Sequence, residues 1–443
     1  MLFSNRALKR LILPLVIEQI LAMLVGIADT MMVSYAGEDA ISGVALVDML
    51  GYMIITIMAS VATGGAVIVS QYLGSRNRAG ASRSAGQLVT ISALISLAIM
   101  AVCLLFHTGI LKLFFGSISA GVMDAAVTYF VITALSFPFL GVYNASAAIF
   151  RSMEKTNVTM YVSLLMNAIN VAGNAIGIFV LHAGVAGVAV PTLIARMTAG
   201  ILMTALAFRK TNAVRISWKT IFCWDSDCIR RILRIAVPNG IENGLFALGR
   251  VIVTSIVALF GTTQIAANGV ANSIDLIAIV VVQAMNLAMI TVVGQCVGAN
   301  EYTQARAYTK KLMMVSYLAT AILGAAVYFA LPFVLDLYIL SDETYTLSRT
   351  LILLHNLLAL LLHPTSFNLS NSLRAAGDAR FTMYVGIASM LVFRIGVAVL
   401  FGIGFELGIL GVWIAMGADW IARSAAFVFR FKSGKWERFR VIS

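Results

Sequence analysis

VIVSQYLGSRNRAGAS at residues 67–82 and TVVGQCVGANEYTQAR at residues 291–306 are two versions of one pattern, 224 positions apart. Val69/Val293, Gln71/Gln295, Gly74/Gly298 and Ala81/Ala305 coincide. Moving outward, the same offset pairs Pro14/Pro238, Ile17/Ile241, Glu18/Glu242, Leu21/Leu245, Gly37/Gly261 and Ile41/Ile265. Further on it pairs Gly184/Gly408, Gly187/Gly411 and Val188/Val412. At an offset of 223, Arg151, Thr159, Met160 and Tyr161 return as Arg374, Thr382, Met383 and Tyr384. An offset held over so long a stretch marks a duplicated unit.

The composition says what kind of unit was duplicated. Hydrophobic residues make up 60% of the 443 and charged residues 11%, against roughly 45–50% and 25% in soluble domains. So little charge cannot cover a water-exposed surface, which excludes a soluble globule. Apolar stretches long enough to cross a bilayer fall near 11–34, 46–72, 86–106, 127–150, 159–181 and 185–208. A second set lies near 235–259, 273–297, 313–331, 350–372, 382–405 and 408–430. The expected fold is an all-α polytopic membrane protein with twelve transmembrane helices in two pseudo-symmetric six-helix lobes. The expected lobes are 1–215, including the start of a basic linker, and 216–443. Six spans per unit give both halves the same orientation, the parallel kind of repeat found in alternating-access transporters.

The net charge of +12 raises nucleic acid as a partner, and its distribution answers the point. Basic residues cluster in alternate loops: Arg6, Lys9 and Arg10; Arg76, Arg78 and Arg83; Arg151 and Lys155; the linker from Arg209 to Arg234; Arg306, Lys310 and Lys311; Arg374 and Arg380; and the tail from Arg430. The opposite loops carry Lys112 and Arg349 alone. This positive-inside bias places both termini in the cytoplasm, and the expected location is a prokaryotic cytoplasmic (inner) membrane. Basicity here is topological, so no nucleic acid is expected. The first span lacks the short apolar run and small-residue cleavage site of a signal peptide. Cys103, Cys223, Cys228 and Cys296 are too scattered for a disulfide framework or a zinc site.

Ionisable residues inside spans cost about 2.5–3.5 kcal/mol on insertion scales and usually face the protein interior. Glu18, Asp29 and Glu242 are the clearest acids of this kind. Asp48, Asp275 and Asp419 sit nearer span ends. Glu18 and Asp29 fall within about 20° of one helix face and about 16 Å apart along it, so a cation meets them in succession. The competing reading of Glu18 is a helix N-terminal acid. The fifth span carries Asn167, Asn170 and Asn174 as one polar stripe, and Thr192 follows Pro191 in the sixth. These oxygens suit Na⁺, or hydrogen-bond a protonated carboxyl; the alternative is ordinary interhelical bonding. Asn239, Asn243, Gln283 and Asn286 form a candidate polar lining with Glu18, Asn167 and Glu242. Arg196, Arg250, Arg394 and Arg423 read as ion-pair partners fixing helix packing, and His355 and His363 as structural histidines. Pro14, Pro138 and Pro364 are candidate bending points. No HExxH, GxSxG or Walker A pattern is present, so no enzyme and no ATP-driven pump is expected. No cofactor is expected beyond a coupling ion.

Several stretches carry a family resemblance. ADTMMVSYAGEDAISGVAL at 28–46, VIVSQYLGSRNRAGASR at 67–83, GVAGVAVPT at 184–192 and VPNGIENGLFALGRVIVTSIVALFGTTQIAANGVA at 237–271 resemble the multidrug and toxic compound extrusion (MATE) family. TVVGQCVGANEYTQAR at 291–306 and NSLRAAGDAR at 371–380 do too. The resemblance spans the chain and is closer to the DinF/MepA-like side than to NorM. It implies the MATE fold of the MOP superfamily and export of organic cations against H⁺ or Na⁺. It also implies a site at Asp29, Asn170, Asn174 and Thr192, with an amide at 174 where DinF-type relatives carry a second acid. The NorM-type acids of spans 7 and 10 fall near Phe246 and His363, neither acidic.

The expected function is therefore a cation-coupled (H⁺ or Na⁺) antiporter of hydrophobic, mostly cationic compounds, monomeric in the bilayer. Ion binding at Asp29 bends or straightens span 1 near Pro14. The alternative is a lipid-linked oligosaccharide flippase of the same superfamily, which needs a cationic cavity for pyrophosphate.

Overall fold

In a computed structural model, residues 2–116, 118–338 and 340–442 are described. Helices α1 (Asn5–Ser34), α2 (Glu38–Gly74), α3 (Arg78–Phe115), α4 (Ala120–Ala134), α5 (Phe137–Ser152), α6 (Thr156–Ala175) and α7 (Ala186–Ala207) build the first half. A short helix, α8 (Trp218–Phe222), leads to α9 (Ser226–Ala258), α10 (Thr262–Gly298), α11 (Tyr302–Asp336), α12 (Asp342–Ala375), α13 (Ala379–Ala388) and α14 (Ile409–Lys432). Among the described residues, eleven helices are long and apolar enough to cross a membrane, and twelve if α4 and α5 form one bent span. Most helices outrun the apolar stretches that announce them. Hydropathy marks only the lipid-crossing part, whereas polar caps such as Ser4, Asn77, Ser119 and Ser341 carry the backbone further.

The fourth span is broken by a 47° bend between Ala134 and Phe137. Pro138 has no N–H, and its ring would strike the carbonyl one turn back. The helix therefore stops at Ala134 and restarts with Pro138 in its first turn. Ser136 at the break donates to Thr133 O at 2.6 Å. In contrast, α1 and α12 run on through Pro14 and Pro364 as single helices.

The chain groups into two compact units, Phe3–Gly240 and Ile241–Val441 with Leu2. The division falls inside α9, past the expected one at 215/216. The linker and the first half of α9 pack on the first unit: Arg231 donates to Tyr72 Oη at 2.8 Å, and Gly64 lies against Ile232 and Ala236. Within that unit α1 packs on α6, α6 on α7, and α2 on α3, α4 and α5. In the second unit α10, α12 and α14 surround an apolar core containing Val253, Ile352, Trp413, Met416 and Trp420.

The repeat is visible in the backbone as well. Residues with positive φ recur in pairs: Gly37/Gly261 at 105° and 94°, Arg76/Asn300 at 59° each, Glu154/Gly377 at 62° and 103°, His182/Glu406 at 48° and 57°, and Gly184/Gly408 at 56° and 57°. Side chains of left-handed residues are strained unless glycine takes the place, so these turns are built in at matching positions. The offset passes from 223 at Glu154/Gly377 to 224 at His182/Glu406. Between them both repeats have a π-helical stretch at matching positions, Ile176–Val180 after α6 and Val399–Gly404; the second repeat has one more, Ser389–Gly396, the usual way a helix absorbs one inserted residue.

Candidate functional site

A cavity of about 280 Å³ opens within the first unit among α1, α2, α4, α6 and α7. Its polar groups are Asp29, Thr30, Asp48, Tyr129, Asn167, Asn170, Thr192 and Arg196. Two close approaches set the geometry. Gly43 of α2 lies so near α4 that an added Cβ would sit 2.8 Å from Ala126 N. There Tyr129 Oη donates to Asp48 Oδ1 at 3.1 Å. Between α6 and α7, a Cβ on Gly187 would come 2.7 Å from Gly177 O, and one on Gly173 2.6 Å from Pro191 Cβ. Only glycine permits this crossing, and it brings the amides of α6 against Thr192.

Asp29 is held by amides. Asn174 Nδ2 donates to its Oδ1 at 2.8 Å. The Asn170 amide has two orientations, of which one satisfies both its oxygen and its nitrogen. With Nδ2 towards α1 it donates to both Asp29 oxygens at 2.8 and 3.1 Å, and its Oδ1 accepts from Thr192 Oγ1 at 2.9 Å. Turned over, Nδ2 donates to Thr192 Oγ1 at 2.9 Å, and Oδ1 accepts from Asn174 Nδ2 at 3.4 Å. In that second arrangement Oδ1 faces the Asp29 carboxyl. In that arrangement the single Thr192 proton goes to Val188 O at 2.9 Å, linking the group to the backbone of α7; in the first arrangement Asn170 Oδ1 competes for it. Asn174 Oδ1 and Asn167 Nδ2 are buried without a hydrogen-bond partner among the described residues. No Lys or Arg forms an ion pair with Asp29 among the described residues. The cavity's cation, Arg196, donates instead to Ser136 Oγ at 2.9 Å, an acceptor supplied by the bend before Pro138.

The other candidates from sequence lie elsewhere. Glu18 is buried, ion-paired with Arg151 at 2.6 Å and hydrogen-bonded by Thr159 at 3.0 Å. Its repeat partner Glu242 is paired with Arg374 at 2.6 Å, with Arg423 at 3.8 Å. Arg374 also donates to Thr382 at 3.2 Å. Both glutamates thus staple three helices, and neither borders the cavity of Asp29. Asn286 accepts from Asn368 and Asn371 at 2.9 and 2.8 Å and donates to Gln283 at 3.3 Å. Asn371 continues to Arg374 at 2.9 Å, so this polar network of the second unit leads to the Glu242 staple. Asn239 is buried and Asn243 half-buried on α9. His355 Nδ1 lies 3.1 Å from Asp275 Oδ1, and Asp419 pairs with Arg423 at 2.9 Å. Among the described residues no group of three or more His, Cys, Asp or Glu is placed to hold a metal.

Three cavity residues escaped sequence reasoning: Asp48, which reads as a span-end acid, Arg196, which reads as structural, and Tyr129. Asp48 lies well inside α2 because that helix starts at Glu38, before the apolar stretch. Tyr129 has no signal in the sequence, since its role depends on α4 meeting α2.

Comparison with known proteins agrees with this architecture. The MatE family profile matches residues 14–176 and again 238–400, the duplication already visible in the sequence. The uncharacterized transporter YisQ of Bacillus subtilis is 32% identical over 430 residues, covering 96% of this chain and 93% of that one. A probable multidrug resistance protein NorM of Thermotoga maritima is 24% identical, covering 99% and 94%. A solved structure described as an outward-facing multidrug resistance MATE family transporter of the MOP superfamily superposes with a TM-score of 0.90 at 20% identity, covering 96% of each chain. With the profile matched in both halves and an all-helical fold of eleven to twelve candidate spans among the described residues, the chain belongs to the MatE (MATE) family of multidrug efflux transporters.

Proposed function

We propose that this protein is a cation-coupled antiporter that exports hydrophobic, mostly cationic compounds by alternating access, with H⁺ or Na⁺ exchanged at Asp29. The observation that carries the reading is a carboxylate at a cavity wall, gripped by two amides and forming no ion pair with Lys or Arg among the described residues. A carboxylate away from water is costly unless a charge or proton neutralises it. With Arg196 of the same cavity bonded to Ser136, the neutralising group in this reading arrives from outside the protein.

The two fits of Asn170 suggest how arrival is sensed. An ionised Asp29 favours the arrangement in which both amides donate to it. A proton or Na⁺ on Asp29 favours the other, in which Asn170 Oδ1 turns to accept the O–H or to ligate the ion. That turn exchanges the partner offered to Thr192, and so transmits occupancy from α1 through α6 to α7. Bending of α1 about Pro14 is the movement this exchange would bias. Organic cation and coupling ion compete for one carboxylate, so neither is carried futilely alone. In this reading no cofactor takes part, the monomer suffices, and the protein lies in a prokaryotic cytoplasmic membrane with both termini inside. The flippase alternative gains nothing from the cavity, where two acids face one arginine and pyrophosphate would be repelled.

The test is transport by the purified protein in liposomes. An imposed pH or Na⁺ gradient should drive accumulation of a lipophilic fluorescent cation, and collapsing that gradient should stop it. Accumulation indifferent to both gradients would refute antiport.

A further inference from the structure

The segment joining α7 to α9 is clamped along one side. Gln87 of α3, fully buried, donates from Nε2 to the carbonyls of Thr220 and Cys223, both at 2.7 Å, and accepts the Asp225 N–H at 3.1 Å. Thr90 Oγ1 donates to Ile221 O at 2.7 Å, and Arg83 pairs with Asp225 at 2.5 Å. Gly86 makes the approach possible, since an added Cβ would lie 2.6 Å from Thr220 O. Val214 and Ile216 are buried beneath.

The other side is unsatisfied. Trp218, Phe222 and Trp224 are 67%, 78% and 58% exposed on this fixed segment. Trp218 stacks with Phe222 at 5.9 Å and leans on Phe208 at 4.9 Å, so these three rings form one apolar face, with Trp224 two residues beyond Phe222. Around it stand the exposed cations Arg209, Lys210, Arg215 and Lys219, with Arg230 beyond; Asp227 is the exposed acid nearby. The segment begins and ends at the termini of two membrane-crossing helices, which sets its depth at a bilayer surface. Aromatic rings favour that depth, where one side is apolar and the other wet. Basic residues beside them attract anionic headgroups.

We propose that residues 208–224 are a membrane-surface anchor, with Trp218, Phe222 and Trp224 seated among the lipids and Arg209, Lys210, Arg215 and Lys219 binding anionic phospholipid headgroups. Charge complementarity selects that occupant: the cations that orient the chain are exposed beside the rings, at a depth where anionic headgroups give them counter-charge and a neutral surface would not. The clamp through Gln87 ties the anchor to α3 independently of the ion site, so this inference stands apart from the coupling mechanism.

Tryptophan fluorescence can test it, because Trp413, Trp420 and Trp436 are buried. The full-length protein is reconstituted with phospholipids brominated at shallow or deep acyl positions, carried on phosphatidylcholine or phosphatidylglycerol. Shallow bromines should quench more than deep ones, and W218F/W224F should lose most of the effect. At equal mole fraction the phosphatidylglycerol probe should be preferred about fivefold, the factor one basic residue near an anionic surface supplies. K210Q/R215Q/K219Q should abolish that preference while keeping the shallow quenching. Quenching by aqueous acrylamide with none by bromolipid would overturn the anchor and indicate a water-facing or protein-binding surface. Equal quenching by the two headgroups in the wild type would overturn the anionic-lipid assignment.

Discussion

Glu18 and Asp29 sit on one face of α1, yet their surroundings give them opposite tasks. Glu18 has its counter-charge in Arg151 and a hydroxyl from Thr159, so it is neutralised inside the protein. Breaking such a buried pair from one side costs about 3–5 kcal/mol, because the remaining charge is stranded. Arg151→Gln should therefore lower the melting temperature of the solubilised protein markedly, and Glu18→Gln/Arg151→Gln should recover part of the loss. Thermal melts in detergent would decide. Asp29 has amides and open space instead. A hydrogen bond to a charged group contributes about 1.5–3 kcal/mol, equivalent to roughly ten- to hundredfold in an equilibrium. Asn170→Ala should thus reduce ion-driven transport at least about tenfold at unchanged expression, measured as initial efflux rate against expression level.

Between residue and molecule, the crossing of α6 and α7 fixes the site. Gly177 and Gly187 let the two backbones touch, and their neighbours Asn170, Asn174 and Thr192 follow. Gly187→Val would force the helices apart; the expected result is a folded, membrane-inserted protein without transport, checked by size-exclusion profile and efflux together. The bend before Pro138 works similarly, placing Ser136 where it holds Arg196. Ser136→Ala should weaken transport more than stability. At this scale the sequence was most legible. Spans and the amide stripe follow from hydropathy and helical spacing, and the placing of Asp29 at a polar cavity from a charge that lipid would not tolerate. What stayed hidden were meetings between helices. Tyr129 with Asp48, and Arg196 with Ser136, depend on how closely α2, α4, α5 and α7 pack, and no single-helix pattern records that distance.

At the scale of the whole molecule, the duplication conserves scaffold and discards the site. Glu18–Arg151–Thr159 and Glu242–Arg374–Thr382 occupy matching positions, and so do the left-handed turns. In contrast, Asp29, Thr192 and Arg196 correspond at an offset of 224 to Val253, Met416 and Trp420. All three belong to the apolar core of the second unit. The second repeat also carries its π-helical stretch, Ser389–Gly396, where the first carries its amides. In the proposed mechanism one lobe therefore holds the ion site. Met416→Leu, a nearly volume-conserving change, should leave ion dependence unaltered, whereas Thr192→Val should shift it; transport measured across a series of Na⁺ concentrations and pH values checks both. The basic loops make a further prediction about the whole chain. A C-terminal fluorescent-protein fusion should be bright and a C-terminal alkaline phosphatase fusion inactive, as expected for a cytoplasmic end.

The most direct measurement is ethidium efflux from cells lacking their own pumps, comparing wild type, Asp29→Asn and Met416→Leu at matched membrane levels, each with Na⁺ and with a protonophore. Ion-dependent efflux should be lost in Asp29→Asn and kept in Met416→Leu. Efflux by Asp29→Asn equal to wild type, with the same ion dependence, would contradict the account.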